Sequence, residues 1–540
     1  MNQPATASNG PKPWETHLRA ILDPRPGEIR SAIKSLVLDK ENHARILDDL
    51  FGLVTQLSDE LYESTPAGLR PREPKTYEEH EETAKAATAQ QAAIQAALGI
   101  LGPRALLDER RWIQAVDRSG MLQRLGRWPD HVTAMRTEAN RALEAFRVKY
   151  GAARPAKLQV FGLGGSGAPH DIAAQVISNF RKSRIPLEVI HADDSNPDFT
   201  DETTLAIFSS FSGNTEETLN CYQRVHAKAG SILALGQGGK LRELAKDHGI
   251  PFIQLPEDPQ HPAHVLQPRE SLCLQLAGML CFLAGLGLPA GSAGSLTLED
   301  LDIDGAIAQL RQWSARFEPA TPFVNNPTKQ FALFLLYGAA DTAGAESVRD
   351  NLWQKKTPFV LADRNNAALA HEVRTQIHER SKVNAACYDA PEFLHNLVES
   401  VRSTSRSSQF GLDDDRWVYY FIRSIDEEPR IAKRLDKTIE HVFRDRVPLA
   451  VLTAEGSTPF HRALFATYFN AYMSTYLAIL NAADPLPVPT MSWLKNVMKD
   501  IPRKTSTGLA RYAGLPKEEG LFPLVQIEAE TVSLTASAID

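Results

Sequence analysis

Gly162-Leu163-Gly164-Gly165-Ser166-Gly167 and Ser210-Phe211-Ser212-Gly213-Asn214-Thr215 are two glycine-rich, hydroxyl-bearing turns. Each follows an apolar run of strand character and precedes a helical pattern. In a parallel sheet such turns lie at the carboxyl ends of strands, where backbone N–H groups, hydroxyls and helix N-termini favour an anion. Apolar runs at 158–161, 187–190, 204–208, 231–235 and 252–255 alternate with helical segments, as parallel βαβ units do. A second series, at 358–361, 383–388, 417–422 and 448–452, follows an acidic helix over 296–317. The expected fold is therefore α/β, with two doubly wound parallel-sheet subdomains built as αβα sandwiches. Upstream, residues 1–110 read as a helical extension, with an alanine-rich stretch from Ala84 to Leu98.

At 540 residues the chain exceeds one ordinary core, and its 43% hydrophobic content can fill several. Its 59 basic and 66 acidic residues leave a net charge of −7 with no dense Lys/Arg block. Nucleic acid and membrane surfaces are therefore not expected as partners. Cys221, Cys273, Cys281 and Cys387 lack C-x-x-C spacing and sit mostly in apolar surroundings, so reduced core thiols are expected, not disulfides or zinc. The polar first residues carry no secretory signal, which points to the cytoplasm. The most apolar stretch, 272–289, is interrupted by Gln275 and three glycines and reads as a buried helix.

Gly162 to Gly167 also satisfies G-x-G-x-x-G, and Asp193 closes the next strand where a ribose-binding acid would stand in a dinucleotide fold. Against that reading, Ser210, Ser212 and Thr215 supply three further hydroxyls that a pyrophosphate turn does not require. A monophosphate, with three peripheral oxygens, does. No Lys follows the glycines as in a Walker loop. Two plain β-to-α turns remain the bland alternative.

The segment 210–218, Ser-Phe-Ser-Gly-Asn-Thr-Glu-Glu-Thr, resembles the signature of sugar isomerase (SIS) domains in the bifunctional phosphoglucose/phosphomannose isomerase family. The resemblance extends to Asp117-Arg118-Ser119-Gly120-Met121 with Pro129, Gly164-Gly165-Ser166, Gln267-Pro268-Arg269, Glu379-Arg380-Ser381-Lys382 and Pro391-Glu392-Phe393-Leu394-His395-Asn396. It closes with Asp484-Pro485-Leu486-Pro487-Val488 and Leu494-Lys495, and covers about residues 112–500 in register. The chain departs from the family pattern at Arg380-Ser381, where Asn-Ala is usual, at Leu397, where an acid is usual, and at Val488, where Thr or Gln is usual.

The resemblance implies subdomains over 111–292 and 293–500, a tail over 501–540, and a sugar phosphate held by Gly165, Ser166, Ser210, Ser212 and Thr215. It further implies Glu379 as catalytic base, Arg269 as stabiliser of the intermediate, and His395 with Lys495 as ring-opening groups. The implied reaction interconverts glucose 6-phosphate and fructose 6-phosphate, with mannose 6-phosphate as a further substrate, through an enediol. Such chemistry asks for a carboxylate to carry a proton between C1 and C2, a guanidinium for the developing oxyanion, and His and Lys for proton transfers at the ring. Neither a metal nor another cofactor is called for. A homodimer is expected by resemblance, with the ring-opening His reaching the partner's site.

Without that register, Glu379 reads as a solvated charge in the stretch 372–382, His395 as a loop histidine, Arg269 as an ion-pair partner and Lys495 as a helix-terminal cation. Two other functions also remain open: a non-catalytic SIS-domain sugar-phosphate sensor, and an NAD-dependent enzyme using Gly162 to Gly167.

Overall fold

The computed structural model describes residues 13–22, 28–65, 68–72, 77–151, 155–180, 186–191, 199–288, 290–291, 294–338, 355–401, 416–444 and 447–492. Residues 1–487 form one compact unit and 488–540 a second. In the second, the Ser492 N–H bonds the Val488 carbonyl at 3.1 Å.

The N-terminal part of the first unit is built from helices Pro13–Leu22, Glu28–Leu38, His43–Leu61 and Tyr77–Leu101. Their Ile, Leu and Ala residues join the main core. The all-helical expectation for this region needs one correction, because β1 (Tyr62–Thr65) and β2 (Gly68–Pro71) form an antiparallel hairpin. The third helix ends at Leu61, where Tyr62 turns to extended backbone with φ −127° and ψ 153°.

In the first sheet, β3 (Lys157–Phe161), β4 (Leu187–Ile190), β5 (Thr204–Ser210), β6 (Ser231–Gly236) and β7 (Phe252–Gln254) run parallel in the order β4-β3-β5-β6-β7. Every residue of β5 and β6 is buried, which explains why they read as continuous apolar runs without alternation. The chain leaves β3 toward one edge and returns at β5 toward the other. The crevice between those two strands is thus the switch point, where ligands of such sheets bind. Both glycine-rich turns open there.

A two-residue pair, β8 (Ala290–Gly291) and β9 (Gly294–Ser295), leads to the acidic helical segment. That segment is two helices, Leu298–Leu301 and Ile303–Phe317, and not one. Asp302 adopts a left-handed φ of 49° and caps the second helix by accepting from the Gly305 N–H at 3.1 Å. In the second sheet, β10 (Thr357–Asp363), β11 (Ala386–Ala390), β12 (Trp417–Arg423) and β13 (Leu449–Thr453) are also parallel, in the order β11-β10-β12-β13. The two orders match over four strands, so the second sheet repeats the winding of the first. The 402–415 loop, Asp193, Lys495 and the 501–540 tail lie outside the described residues.

One continuous core joins the inner faces of both sheets, and each sheet has a smaller outer cluster. Helix Leu272–Leu286 is almost wholly buried in the main core, as its composition suggested. Pro268–Leu286 is long and apolar enough to cross a membrane by composition, and 89% of it is buried inside the protein. Helix Pro459–Leu480 is surrounded on every side. Within it, Asn470 donates to the Ala466 carbonyl at 2.7 Å and accepts from the Tyr420 hydroxyl at 2.8 Å. Cys221, Cys273 and Cys281 are buried thiols and Cys387 is half-buried, and none of them forms a disulfide.

Below the first sheet, the buried Asp117 carboxylate accepts from the Met121 and Leu122 N–H groups at 2.7 and 2.8 Å. Burial first, and then the charge of Asp484, push its pKa from 3.8 up to about 7. Between those values the folded chain holds a proton that the unfolded chain releases, so this group's contribution to stability falls as pH rises from about 4 to about 7. The Asp117→Asn variant should show a shallower decline of unfolding midpoint across that window, as measured by urea titration at each pH.

Candidate active site

Gly165, at the centre of the first turn, packs on the turn that carries Arg269. A Cβ on Gly165 would lie 2.8 Å from Pro268 Cβ and 3.3 Å from the Arg269 nitrogen, so only glycine lets these two turns meet. The two glycine-rich turns are also tied directly. Buried Ser166 Oγ accepts from the Phe211 N–H at 2.9 Å, which leaves its own hydroxyl hydrogen for another acceptor. In the second turn, Ser210 donates to Thr215 Oγ1 at 2.8 Å, and Ser212 Oγ accepts from the Asn214 N–H at 3.2 Å. Thr215 precedes helix Glu216–Val225 without using its side chain as a cap. Its hydroxyl stands at the positive end of a ten-residue helix.

Arg269 sits in a short 3-10 turn, Pro268–Ser271, and is 6% exposed. Its Nη1 pairs with Glu379 Oε2 at 3.3 Å, across 110 positions of sequence. Its Nη2 donates to the Pro485 carbonyl at 3.0 Å and to the Leu486 carbonyl. The Glu379 side chain keeps 26% exposure, enough to meet a ligand. It stands in a π-helical turn, Ile377–Ser381, that ends in Lys382 with a left-handed φ of 55°. Such local departures from α geometry often accompany functional positions. Ser381 Oγ donates to the Ser474 carbonyl at 2.7 Å, and Asn481 Nδ2 donates to the Ser381 carbonyl at 2.7 Å, which fixes the turn against the end of helix Pro459–Leu480.

Two charges beside Glu379, Glu372 and Arg380, are buried, contrary to the solvated-helix reading of 372–382, whereas His378 and Lys382 are exposed as that reading expects. Arg380 is fully buried and donates to Gln376 Oε1 at 3.1 Å; Gln376 in turn donates to Glu372 Oε1 at 3.0 Å. Burial pushes Glu372 up to about 7. The Lys382 ammonium donates to the Glu379 carbonyl.

The structure thus gathers Gly165, Ser166, Ser210, Ser212, Thr215, Arg269 and Glu379 around the first switch point. It does not bring His395 to them within one chain: that residue is exposed, in the 3-10 turn Glu392–His395. Among the described residues no three His, Cys, Asp or Glu side chains gather as a metal site.

Sequence reasoning missed Gln275, which it read only as an interruption of an apolar stretch. This fully buried amide donates to the Gly165 carbonyl at 3.1 Å and to Ser271 Oγ at 2.6 Å, and accepts from Ser209 Oγ at 2.8 Å. One side chain therefore joins the first turn, the strand before the second turn and the Arg269 turn. A lone amide inside an otherwise apolar helix was the available signal, since buried polar groups need partners.

In the second sheet, the turn after β12 carries carboxylates that pair within the protein. After β12, Glu427 takes a bidentate pair from Arg423 at 2.7 Å and accepts from the Ser424 N–H at 3.1 Å. Asp426 is paired in the same way with buried Arg462, whose Nε lies at 2.7 Å. This turn thus presents paired carboxylates where the turn after β5 presents hydroxyls.

Residues 344–498 match the family described as the bacterial phospho-glucose isomerase C-terminal SIS domain. A bifunctional phosphoglucose/phosphomannose isomerase of Caldicellulosiruptor bescii is 28% identical over 347 residues, which cover 64% of this chain and 90% of that one. One of Aquifex aeolicus is 25% identical over 63% of this chain and 89% of its own. In fold, the chain is similar to a hypothetical protein of Thermus thermophilus, with a TM-score of 0.53 and 16% identity over 75% of this chain and 95% of that one.

Replacing Gln275 by Leu would strand the Gly165 carbonyl and leave the Ser209 hydroxyl without its acceptor. The Gln275→Leu variant should lose about 2–4 kcal/mol of stability in urea unfolding and bind inorganic phosphate more weakly than the parent chain.

Proposed function

We propose that this chain, a relative of the SIS-domain bifunctional phosphoglucose/phosphomannose isomerases, interconverts glucose 6-phosphate and fructose 6-phosphate and takes mannose 6-phosphate as a second aldose. The observation that carries the reading is the contact between buried Arg269 and half-exposed Glu379, set beside the first hydroxyl-bearing turn by the Gly165–Pro268 approach. Hydroxyls of Ser166, Ser210, Ser212 and Thr215 and the start of helix Glu216–Val225 bind the phosphoryl oxygens. The anchored sugar then presents C1 and C2 to the carboxylate.

Glu379 takes the proton from C2 of the aldose and returns it to C1, and the carbonyl moves from C1 to C2. The intermediate enediolate carries negative charge on oxygen, which the Arg269 guanidinium meets without reorganisation because two carbonyls already fix its plane. Return of the proton to either face of C2 yields glucose or mannose 6-phosphate. The carboxylate-bearing turn after β12 in the second sheet supports one phosphate site per chain.

In this reading the protein is a cytoplasmic homodimer, and His395, exposed in its turn and apart from its own chain's site, serves ring opening in the partner's site, with Lys495 as the second ring-opening group.

In a coupled assay on fructose 6-phosphate, Glu379→Gln should lower kcat by roughly a thousandfold, within the span expected for loss of a general base. Activity near that of the parent chain would remove Glu379 from the role. When inactive Glu379→Gln and His395→Ala chains are unfolded and refolded together, activity should return to about a quarter of the parent value, since half of the dimers are mixed and each holds one intact site. No recovery would place His395 outside the partner's site.

A further inference from the structure

We infer that Tyr62, in the hairpin of the N-terminal helical region, is a positioning residue for Arg269, acting through Asp484 and the Pro485–Leu486 backbone. The inference rests on the isomerase reading for Arg269's role, and extends it to a part of the chain outside the family resemblance.

The path is continuous. Tyr62 is 7% exposed and donates its hydroxyl hydrogen to Asp484 Oδ2 at 2.8 Å. The same carboxylate accepts from the Arg118 and Ser119 N–H groups at 3.1 and 3.4 Å, from Ser119 Oγ at 2.8 Å and from the Leu486 N–H at 2.8 Å. That last bond folds the chain back on Asp484 and turns the Pro485 and Leu486 carbonyls toward Arg269 Nη2. With Nη2 held there, Nη1 faces Glu379. Tyr62 is the side-chain donor on Oδ2, and its distance of 422 positions from Asp484 makes the bond purely tertiary.

A second contact from the same region reaches the same segment. Gln91, on helix Tyr77–Leu101, donates to the Asn481 carbonyl at 3.4 Å, and Asn481 holds the carbonyls of Ser381 and Lys382 beside Glu379. The N-terminal region therefore touches residues 481–484, from which both members of the Arg269–Glu379 pair are held. Loss of the Tyr62 hydroxyl leaves the ring and its packing in place. It removes one donor from a carboxylate whose neighbour, Asp117, is also acidic, so residues 484–486 and the guanidinium lose their fixed orientation.

The test compares the full-length parent with Tyr62→Phe and with Ser58→Ala. Ser58 is buried in the same region, and its hydroxyl bonds to Val54 and Gln90. For Tyr62→Phe, kcat on fructose 6-phosphate should fall about tenfold with KM within twofold, because sub-ångström misplacement of a catalytic group acts on the chemical step. Affinity for a five-carbon phosphorylated hydroxamate, a planar mimic of the enediolate, should fall in parallel, while competition by inorganic phosphate stays unchanged. Ser58→Ala should lower Tm and leave kcat intact. Equal kcat and hydroxamate affinity in Tyr62→Phe and the parent would overturn the inference, as would a parallel loss of phosphate affinity, which marks general loosening. If the parent binds the hydroxamate but turns nothing over, the isomerase reading fails alone and the two hydroxamate affinities still decide the inference. If the parent does not bind the hydroxamate, both readings fall.

Discussion

Burial of the Arg269 guanidinium is the constraint on which the site depends. A charge this far from water needs partners on several of its N–H groups, and the molecule supplies three from two distant stretches: Glu379, and the adjacent Pro485 and Leu486 carbonyls. Because none of these is local in sequence, Arg269 can be satisfied only when the first sheet, the second sheet's π-turn and the end of the long buried helix are all in place. The pairing thus couples completion of the fold to assembly of the charge pair. It also explains why Glu379 retains partial exposure while Arg269 does not. The cation is fixed by protein acceptors, and the anion is left a face toward a ligand.

The two sheets show how one winding can be kept while its ligand site is used once. In the first sheet, glycines bring backbone close to backbone. At Gly213, with φ of 70°, a Cβ would fall 1.7 Å from the Gly238 carbonyl oxygen, so the second turn cannot tolerate a side chain there. Small hydroxyl residues around these glycines leave room and donors for an anion. In the second sheet the corresponding turn is Ser424-Ile425-Asp426-Glu427-Glu428, and its own carboxylates take the backbone N–H and the arginines. An internal anion next to a backbone donor competes with any external one at an effective concentration no free ligand reaches. The second sheet contributes the base-bearing π-turn instead.

Much of this architecture was legible in the chain. Central strand runs such as β5 and β6 were apolar because they are buried on both faces, and the two turns announced the switch point through glycine and hydroxyl content. The assignment of Arg269 and Glu379 to one site came from the family resemblance alone, and their direct pairing only from the structure. Neither residue's local sequence distinguishes it from a surface charge, and only tertiary structure buries Arg380 and Glu372 beside them. The break at Asp302 and the hairpin at Tyr62 were local events that a helical pattern masked. Gln275 was visible but misread, since its meaning depends on three partners that meet only after folding.

The same logic accounts for how the site tolerates strain. Lys382 adopts a left-handed backbone although it is not glycine, and Arg380 lies buried with its Nε and Nη2 lacking hydrogen-bond partners. Each feature costs on the order of 1–3 kcal/mol. Both flank Glu379 within three residues, whereas the turn itself is held by Ser381 on Ser474 and by Asn481 on Ser381 and Lys382. A regular α-helical continuation would relieve the strain and rotate the carboxylate away from Arg269. The hydrogen bonds from the buried helix therefore hold a conformation that the local sequence disfavours, and what they preserve is the direction of one acid toward one guanidinium.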